Sequence, residues 1–184
     1  MSLTKWSVDP THSEILFKVK HLMISTVTGQ FHQFNLNVET ENSDFNSVKK
    51  IEFSADIDSI DTNNEQRNAH LKSADFFNAT EHPKVEFSGT EYEAKTGKLK
   101  GELSIAGITK PVVLDVEFGG QAKDPWGGER AGFTVTGKIS RKEFGLTYNA
   151  VTEAGGVVVG DEIKIIAEVQ LVKQASELQS EEAA

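Results

Sequence analysis

The polar side chains best suited to chemistry fall in one segment, Asn64 to Gly89, which reads NEQRNAHLKSADFFNATEHPKVEFSG. On a helix, Arg67, His70 and Leu71 share one face because they are three and four residues apart. Arg67 and His70 could then donate hydrogen bonds to the polar end of a bound molecule. They could equally cap backbone carbonyls at the end of a barrel, and the sequence leaves both interpretations open.

The motifs of common enzyme classes do not occur in the chain. The segment GITK at 107–110 lacks the spacing of a phosphate-binding loop, and there is no Gly-x-Ser-x-Gly nucleophile turn. The absence of cysteine excludes disulfides, thiol nucleophiles and thiolate metal sites. The five histidines do not have the spacing of a metal site. We therefore predict no catalytic residue, no metal and no cofactor.

Two other histidines have positions that suggest a role. His21 follows Phe17 and Val19 at alternate positions, so it is expected either as a hydrogen-bonded core histidine or as a polar side chain of a pocket. If the protein were an enzyme, His21 or His70 would be its acid–base residue. His12, in the segment DPTHS, is expected to cap a turn.

Charge and hydropathy exclude several partners for these 184 residues. A net charge of −9 excludes nucleic acid, because phosphate binding needs a basic surface, and it opposes approach to an anionic membrane. No run of 18 apolar residues occurs, so no integral membrane contact is expected. The N-terminal residues lack an apolar signal segment, which predicts a cytoplasmic protein as given and a periplasmic one if a signal was removed.

Apolar and polar residues alternate through most of the chain, which is typical of β-strands with one buried face. The eight predicted strands are SEILFKVKH, QFHQFNLNVE, KKIEFSADIDS, PKVEFSGTEYE, GKLKGELSIAG, KPVVLDVEFGG, RAGFTVTGKIS and GDEIKIIAEVQLV. In the second strand, Phe31 has the wrong parity for Phe34 and Leu36. A β-bulge is therefore expected near 32–33.

Eight amphipathic strands joined mostly by short turns favour an antiparallel sheet that closes into a barrel. A barrel of this size can hold one small ligand. Small inward residues, such as Gly101 and Gly137, can reflect either barrel taper or a cavity. The predicted fold is mainly β, with one domain at 1–174 and an acidic, flexible tail at 175–184.

The main interruption of the strand pattern predicts one α-helix within 62–73, after the third strand. Thr62 and Glu65 have the spacing of a capping box. Irregular structure is expected at 74–82 and at 141–159. Long connections of this kind are often functional in compact domains.

Several segments, in their order and spacing, resemble the YceI-like family of polyisoprenoid-binding proteins over nearly the whole chain. They are WSVDPTHSEILFKVKH at 6–21, GQFHQF at 29–34, NEQRNAHLKSADFFN at 64–78, HPKVEFSG at 82–89, GELSIAGITKPVVLDVEFGG at 101–120, RKEFG at 141–145 and VGDEIKI at 159–165. Asn68 and Glu143 stand where the family commonly has aspartate. Arg141 of RKEFG is expected to have a structural role.

The resemblance implies an elongated lipocalin-like barrel with a deep apolar channel for an isoprenoid chain, and no established enzymatic activity. We expect non-enzymatic binding, transport or storage of a polyisoprenoid or quinone-like lipid, with stress response as a further association. The expected partner is a long-chain lipid, and a homodimer remains open. The alternatives are an enzyme acting on an isoprenoid-type or small apolar substrate, and a barrel with a filled core that acts through protein contacts.

Inward parity, together with the segment after the third strand, predicts which residues contact the lipid. The apolar channel is expected to be formed by Phe17, Val19, Phe31, Phe34, Phe53, Ile57, Leu71, Phe76, Phe77, Phe87, Leu103, Leu114 and Phe133. The polar end of the ligand is expected at His21, Arg67 and His70.

Overall fold

Eleven β-strand segments and one α-helix occur in the part of the chain described by a computed structural model, residues 2–148 and 159–174. In chain order they are β1 (Leu3–Val8), β2 (Glu14–His21), β3 (Ser25–Phe31), β4 (Phe34–Glu41), β5 (Asp44–Asp56), β6 (Ile60–Asp61), α1 (Glu65–Lys72), β7 (Lys84–Glu93), β8 (Lys98–Ile105), β9 (Ile108–Lys123), β10 (Glu129–Ser140) and β11 (Val159–Lys173). Short 3-10 turns lie at Pro10–His12, Ile57–Ser59 and Arg141–Phe144. Within these residues, no helix is long and apolar enough to cross a membrane.

Eight strands close the barrel, because β1 hydrogen-bonds with both β4 and β11. The order around the ring is β1-β4-β5-β7-β8-β9-β10-β11, and neighbouring strands are antiparallel. β2 continues along the same edge of β11 as β1, since Val8 lies opposite Leu171 and Glu14 opposite Glu168. β3 and β6 extend the wall beside β2. The prediction of an eight-stranded antiparallel, lipocalin-like barrel is confirmed.

The first six segments form three long strands, β1–β2, β3–β4 and β5–β6, and each long strand is interrupted by a short break between its two segments. Two hydrogen bonds join the β3–β4 break to the region of the β5–β6 break: the His32 N–H donates to the Ser59 carbonyl at 3.2 Å, and the Asp56 N–H donates to the Gln33 carbonyl at 2.9 Å. The irregularity expected near 32–33 therefore takes the form of a two-residue break. The break changes the parity of the strand, which lets Phe31 face the interior together with the inward residues of β4.

The helix begins later than the sequence pattern predicted. Asn64 is its N-cap, and the Asn64 side-chain oxygen accepts the Arg67 N–H at 2.9 Å. Thr62 is buried instead, and its N–H and hydroxyl donate to the side-chain oxygen of Asn68 at 2.8 and 2.6 Å. The prediction that Thr62 caps the helix was therefore wrong. The chain is still turning at Asn63, whose φ is 63°, so helical geometry starts only after it.

Glycines that face the interior make room for rings from neighbouring strands. A Cβ at Gly29 would lie 2.2 Å from the ring of Phe17, which is directly opposite on β2. A Cβ at Gly101 would lie 2.4 Å from the Phe87 ring and 2.5 Å from the Ser88 carbonyl oxygen. These small residues therefore seat large rings against the wall, which keeps the rings away from the middle of the barrel.

Candidate functional site

The barrel contains a cavity of about 260 Å³. Among the described residues that line it, only Tyr92 and Arg141 carry a polar group on the side chain. The apolar lining residues are Ile15, Leu16, Phe17, Val19, Phe31, Leu36, Val38, Phe45, Val48, Ile51, Phe53, Leu71, Phe76, Phe77, Val85, Phe87, Leu99, Leu103, Ile105, Val112, Leu114, Val116, Phe133, Val135, Ile139, Leu146, Val159, Ile163, Ile165, Ala167, Val169 and Leu171.

The cavity is lined along the length of the strands. On β11, alternate residues from Ile163 to Leu171 face it, and eight residue steps of an extended strand cover about 26 Å. Leu71 contributes at the end of the barrel that carries α1, and Phe45 contributes near the β4–β5 turn. A long, narrow and apolar space suits a chain molecule better than a compact polar one.

The structure places 11 of the 13 predicted channel residues on the cavity wall. Ile57 is instead buried at 1% exposure in the 3-10 turn between β5 and β6. Phe34 packs against the core at the start of β4 without lining the cavity. Both residues lie at breaks in the strands, where simple alternation no longer gives the direction of a side chain. Lipid contact at any of these positions stays a prediction.

Leu71, Phe76 and Phe77 form the cavity wall at the α1 end. After α1 the chain folds back on the helix, because the Phe77 N–H donates to the Leu71 carbonyl at 3.0 Å. The Asn78 N–H donates to the Ser73 carbonyl at 2.9 Å, and Asn78 has a left-handed φ of 51°. This local turn brings both phenylalanine rings to the cavity.

His70 lies behind this wall and not in it. Its Nε2 is 2.9 Å from Asp75 Oδ2. Its ring packs edge-on against Phe76 and Tyr148, with centroids 5.0 and 4.8 Å apart. His70 therefore joins the segment after α1 to the segment after β10. Its predicted contact with the polar end of a ligand stays a prediction.

Arg67 is exposed on α1 and contacts the chain just before the helix. Its Nε donates to the Thr62 hydroxyl at 2.8 Å, and its Nη2 donates to the Thr62 carbonyl. The sequence left two interpretations of Arg67 open, and this geometry favours carbonyl capping over a group directed into the cavity.

His21 is exposed at the end of β2, so the expectation of a buried core histidine is wrong. The inward alternation holds at Phe17 and Val19, both of which line the cavity. On β2 the lining stops at Val19, and His21, the next position of the same parity, faces solvent. His21 lies opposite Val159, the first residue of β11.

Arg141 is the buried charge of the site, with 2% exposure. It donates to four backbone carbonyls: those of Gly160 (2.8 Å), Tyr148 (2.9 Å), Val159 (3.1 Å) and Leu146. Burial lowers the pKa of the guanidinium, and nearby Asp161 opposes this effect. Carbonyl dipoles compensate the buried cation, so Arg141 fixes the chain where it leaves β10 and enters β11. This is the structural role expected for the RKEFG segment.

The sequence patterns missed the end of the cavity opposite α1. Phe45 and Val48 line it, but the predicted third strand began after them. Phe45 packs against Trp6 and Phe133, with ring centroids 4.7 and 4.9 Å apart. Trp6 belongs to β1, which was not predicted as a strand, although Trp6 and Val8 alternate with the polar residues Lys5, Ser7 and Asp9.

A charged network also holds the end opposite α1. Arg130 Nη1 donates to Asp9 Oδ2 at 2.7 Å, and Arg130 Nε donates to Asp124 Oδ2 at 3.1 Å. Hydrogen bonds from Thr11, and then from Arg130 and His12, hold the pKa of Asp9 well below its ordinary value. The network joins the break after β1 to the β9–β10 turn. His12 takes part in the Asp9 turn, as its sequence context suggested.

The described part of the cavity wall carries no histidine, carboxylate or hydroxyl nucleophile apart from the phenol of Tyr92. Burial raises the pKa of that phenol, which keeps it protonated. Across residues 2–148 and 159–174, no cluster of three or more histidine or acidic side chains could hold a metal ion. The chemistry that this wall offers is apolar contact.

Comparison with known proteins gives matches over nearly the whole chain. The model of the YceI-like domain family matches residues 6–171. A UPF0312 protein of Staphylococcus aureus strain USA300 is 40% identical over 171 residues, which cover 91% of this chain and 97% of that protein. The YceI protein of Campylobacter jejuni is a solved structure with 34% identity and a TM-score of 0.71, covering 85% of this chain and 90% of that one.

A more distant solved structure has the same fold. It is a polyisoprenoid binding domain from Saccharophagus degradans, with 14% identity and a TM-score of 0.62, covering 93% of this chain and 98% of that one. The family match runs from Trp6 in β1 to Leu171 in β11, and so includes all eight strands of the closed ring. This chain therefore belongs to the YceI-like domain family.

Proposed function

We propose that the protein binds a long-chain lipid of polyisoprenoid or quinone type in its barrel and carries or stores it unchanged. The observation that supports this most directly is the cavity, which is lined along the strands by apolar side chains. The polyisoprenoid binding domain from Saccharophagus degradans shares the fold and supports this class of ligand.

The wall also supports binding without catalysis. Arg141 is the charged group on the described wall, and four backbone carbonyls occupy its donors. The histidines considered as acid–base residues, His21 and His70, do not line the cavity. A reacting group on a buried lipid would meet hydrocarbon along most of the wall.

The energetics favour exchange with a membrane over uptake from water. Burying a methylene group from water stabilises a complex by about 0.8 kcal/mol, so a long prenyl chain would approach the practical affinity limit of about 18–21 kcal/mol. Transfer from a bilayer to the barrel moves the chain between two apolar environments and is nearly balanced. Such a carrier can load and unload, and its selectivity arises from chain shape and contacts at the ends.

Extraction of the purified protein with organic solvent, followed by mass spectrometry, tests the proposal. We expect one long-chain lipid per barrel, recovered with its structure intact. After stripping, the protein should take up a polyprenol or a quinone from mixed micelles. If the stripped protein takes up neither, the proposal is wrong. Recovery of a chemically altered lipid after incubation would instead show that the protein is an enzyme.

Two adjacent valines provide a matched pair for this experiment. Val112 lines the cavity, whereas Val113 faces outward with 55% exposure. Val112→Asn places an amide against the lipid chain, which is unfavourable because the amide finds no hydrogen-bond partner there. The lipid content should fall severalfold in Val112→Asn and stay unchanged in Val113→Asn. Equal lipid content in both variants would contradict binding inside the barrel.

A further inference from the structure

The β2–β3 hairpin ends in three consecutive apolar residues that are exposed to solvent. Leu22, Met23 and Ile24, here called the hairpin tip, have exposed fractions of 39%, 60% and 82%. Single apolar residues on a surface are ordinary, but three consecutive ones at the end of a hairpin form an exposed patch.

The backbone of the turn would favour other residues. The Ile24 N–H donates to the His21 carbonyl at 3.1 Å, and Leu22 and Met23 have φ values of 53° and 60°. This is a type I′ geometry, which favours asparagine and glycine and disfavours bulky side chains. At the opposite end of the barrel, the β4–β5 turn has the same left-handed φ region and uses Asn42–Ser43. The hairpin tip therefore carries apolar side chains despite its conformation, which points to a use for them.

Four lysines lie on the outer wall directly behind the hairpin tip. Lys18 and Lys20 point outward from β2, on the opposite face from Phe17 and Val19, which line the cavity. Lys18 is opposite Lys164 of β11, and Lys164 is opposite Lys138 of β10. We call Lys18, Lys20, Lys138 and Lys164 the lysine belt.

Acidic side chains on the same part of the wall cancel only part of this charge. Glu162 is 3.9 Å from Lys138, and Asp161 accepts hydrogen bonds from the Ser140 hydroxyl and the Lys142 N–H. The other three lysines of the belt form no ion pair with any residue in the described ranges. A chain with a net charge of −9 thus has a basic area beside its apolar hairpin tip.

The hairpin tip lies at the α1 end of the cavity. His21, at its base, is opposite Val159, which lines the cavity. Arg141 donates to the carbonyls of Val159 and Tyr148, and the Tyr148 ring packs 5.2 Å from that of Phe76. These contacts connect the hairpin to the part of the wall formed after α1.

We propose that the α1 end of the barrel docks on an anionic lipid bilayer. The hairpin tip enters the boundary between head groups and acyl chains, and the lysine belt contacts the anionic head groups around it. Apolar side chains flanked by lysines are the combination that binds membrane interfaces. Docking places the cavity end where a lipid could pass between bilayer and barrel. That consequence rests on the proposed function, whereas docking itself does not.

The absence of cysteine allows a clean test with one label per molecule. Ile24→Cys and Asn42→Cys, each labelled with a polarity-sensitive fluorophore, place probes in the two left-handed turns at opposite ends of the barrel. Both are mixed with vesicles of phosphatidylcholine and phosphatidylglycerol in equal amounts, and with vesicles of phosphatidylcholine alone. We expect a blue shift and increased emission at position 24 with the anionic vesicles, and no change at position 42. A probe at 24 that does not respond, or equal responses at both positions, would overturn the proposal.

Unlabelled variants test the two components separately by vesicle co-sedimentation. Met23→Asn/Ile24→Asn should weaken binding by about tenfold or more, the change expected when large apolar side chains lose their burial. Lys18→Gln/Lys164→Gln should remove most of the preference for anionic vesicles. The control Lys95→Gln/Lys123→Gln has the same charge change at the other end of the barrel and should bind like the parent. Binding that all four proteins share would refute docking through this end.

Lipid uptake from detergent micelles separates this proposal from the proposed function. Met23→Asn/Ile24→Asn should still load a polyprenol or quinone from micelles, because its cavity wall is intact. Its extraction of the same lipid from vesicles should slow by about tenfold, because its binding to vesicles is weakened by the same factor. Normal extraction from vesicles by this variant would contradict docking, and failure of the parent protein to load from micelles would contradict the carrier function alone.

Discussion

Gly29→Ala tests whether the interior of the barrel is hollow. The new Cβ would lie 2.2 Å from Phe17 Cζ and 2.6 Å from Phe17 Cε1, so the ring has to move. Gly29 is not among the glycines with a positive φ, so alanine does not strain the backbone. Phe17 lines the cavity, and the direction open to its ring is inward.

The magnitude follows from two opposing contributions. Displacing the Phe17 ring from its preferred rotamer costs about 0.5–1.5 kcal/mol. Replacing glycine by alanine at a compatible position stabilises a protein by about 0.4–1 kcal/mol through the unfolded chain. The free energy of unfolding should therefore change by no more than about 1 kcal/mol. The displaced ring occupies cavity space, so the amount of bound lipid should fall severalfold.

Urea unfolding followed by tryptophan fluorescence measures the first quantity, and solvent extraction with mass spectrometry measures the second. Trp6 reports on unfolding because it is buried at 1% exposure, whereas Trp126 is already 86% exposed in the folded protein. The control is Phe17→Leu/Gly29→Ala, in which a smaller side chain should restore lipid binding. A densely packed interior would instead give a loss of about 1–3 kcal/mol from overpacking. A loss of more than about 2 kcal/mol with unchanged lipid content would refute the hollow barrel.

Three further outcomes follow from particular contacts. Gly101→Ala should destabilise the protein by about 2 kcal/mol in urea, more than Gly29→Ala does, because its Cβ would meet the Ser88 carbonyl oxygen at 2.5 Å and a backbone atom cannot move aside. Arg141→Met should cost about 3 kcal/mol or more, since it leaves buried carbonyls without donors, and Arg141→Lys should not restore stability because an ammonium group cannot reach all four. Arg130→Gln removes one of the hydrogen bonds that lower the pKa of Asp9, after that of Thr11. A carboxylate with a lowered folded pKa stabilises the fold above its unfolded pKa of about 3.9 and loses this effect as the pH falls through the folded value. Arg130→Gln should therefore be less stable than the parent at neutral pH, and urea midpoints should show the difference shrinking below about pH 4.

The barrel was predictable because period-two alternation has a direct physical cause. A strand with one wet face must alternate, and eight such strands can hide their dry faces by closing. The inward rows of β7 to β11 follow this rule, from Val85 and Phe87 to Val169 and Leu171. β1 was missed because LTKWSV is short and its pattern stops at Pro10.

The misplaced residues lie where local structure changes the alternation. Ile57 and Phe34 follow the strand pattern, but both stand at breaks that redirect their side chains. His21 has inward parity, but the lining residues of β2 stop at Val19. Asn64 caps α1, and not Thr62. The sequence pattern could not distinguish the two, because both residue types are good N-caps. Parity predicts which way a side chain points within a strand, but not where the strand or the barrel wall ends.

The proposed carrier function would require a bilayer beside the barrel, for a reason that lies in the cavity wall. Along the described wall, the charged donors belong to Arg141 and are held by backbone carbonyls, so the interior offers a lipid little beyond apolar contact. A bilayer offers the same contact, and the difference in free energy between the two positions is therefore small. The main obstacle is the water between them, because exposing the chain costs about 0.8 kcal/mol for each methylene group. A carrier that loads lipid from a bilayer must shorten this exposed path. An apolar hairpin tip and a lysine belt at the α1 end would do so by bringing the cavity to the membrane surface, without any specific polar contact inside the barrel.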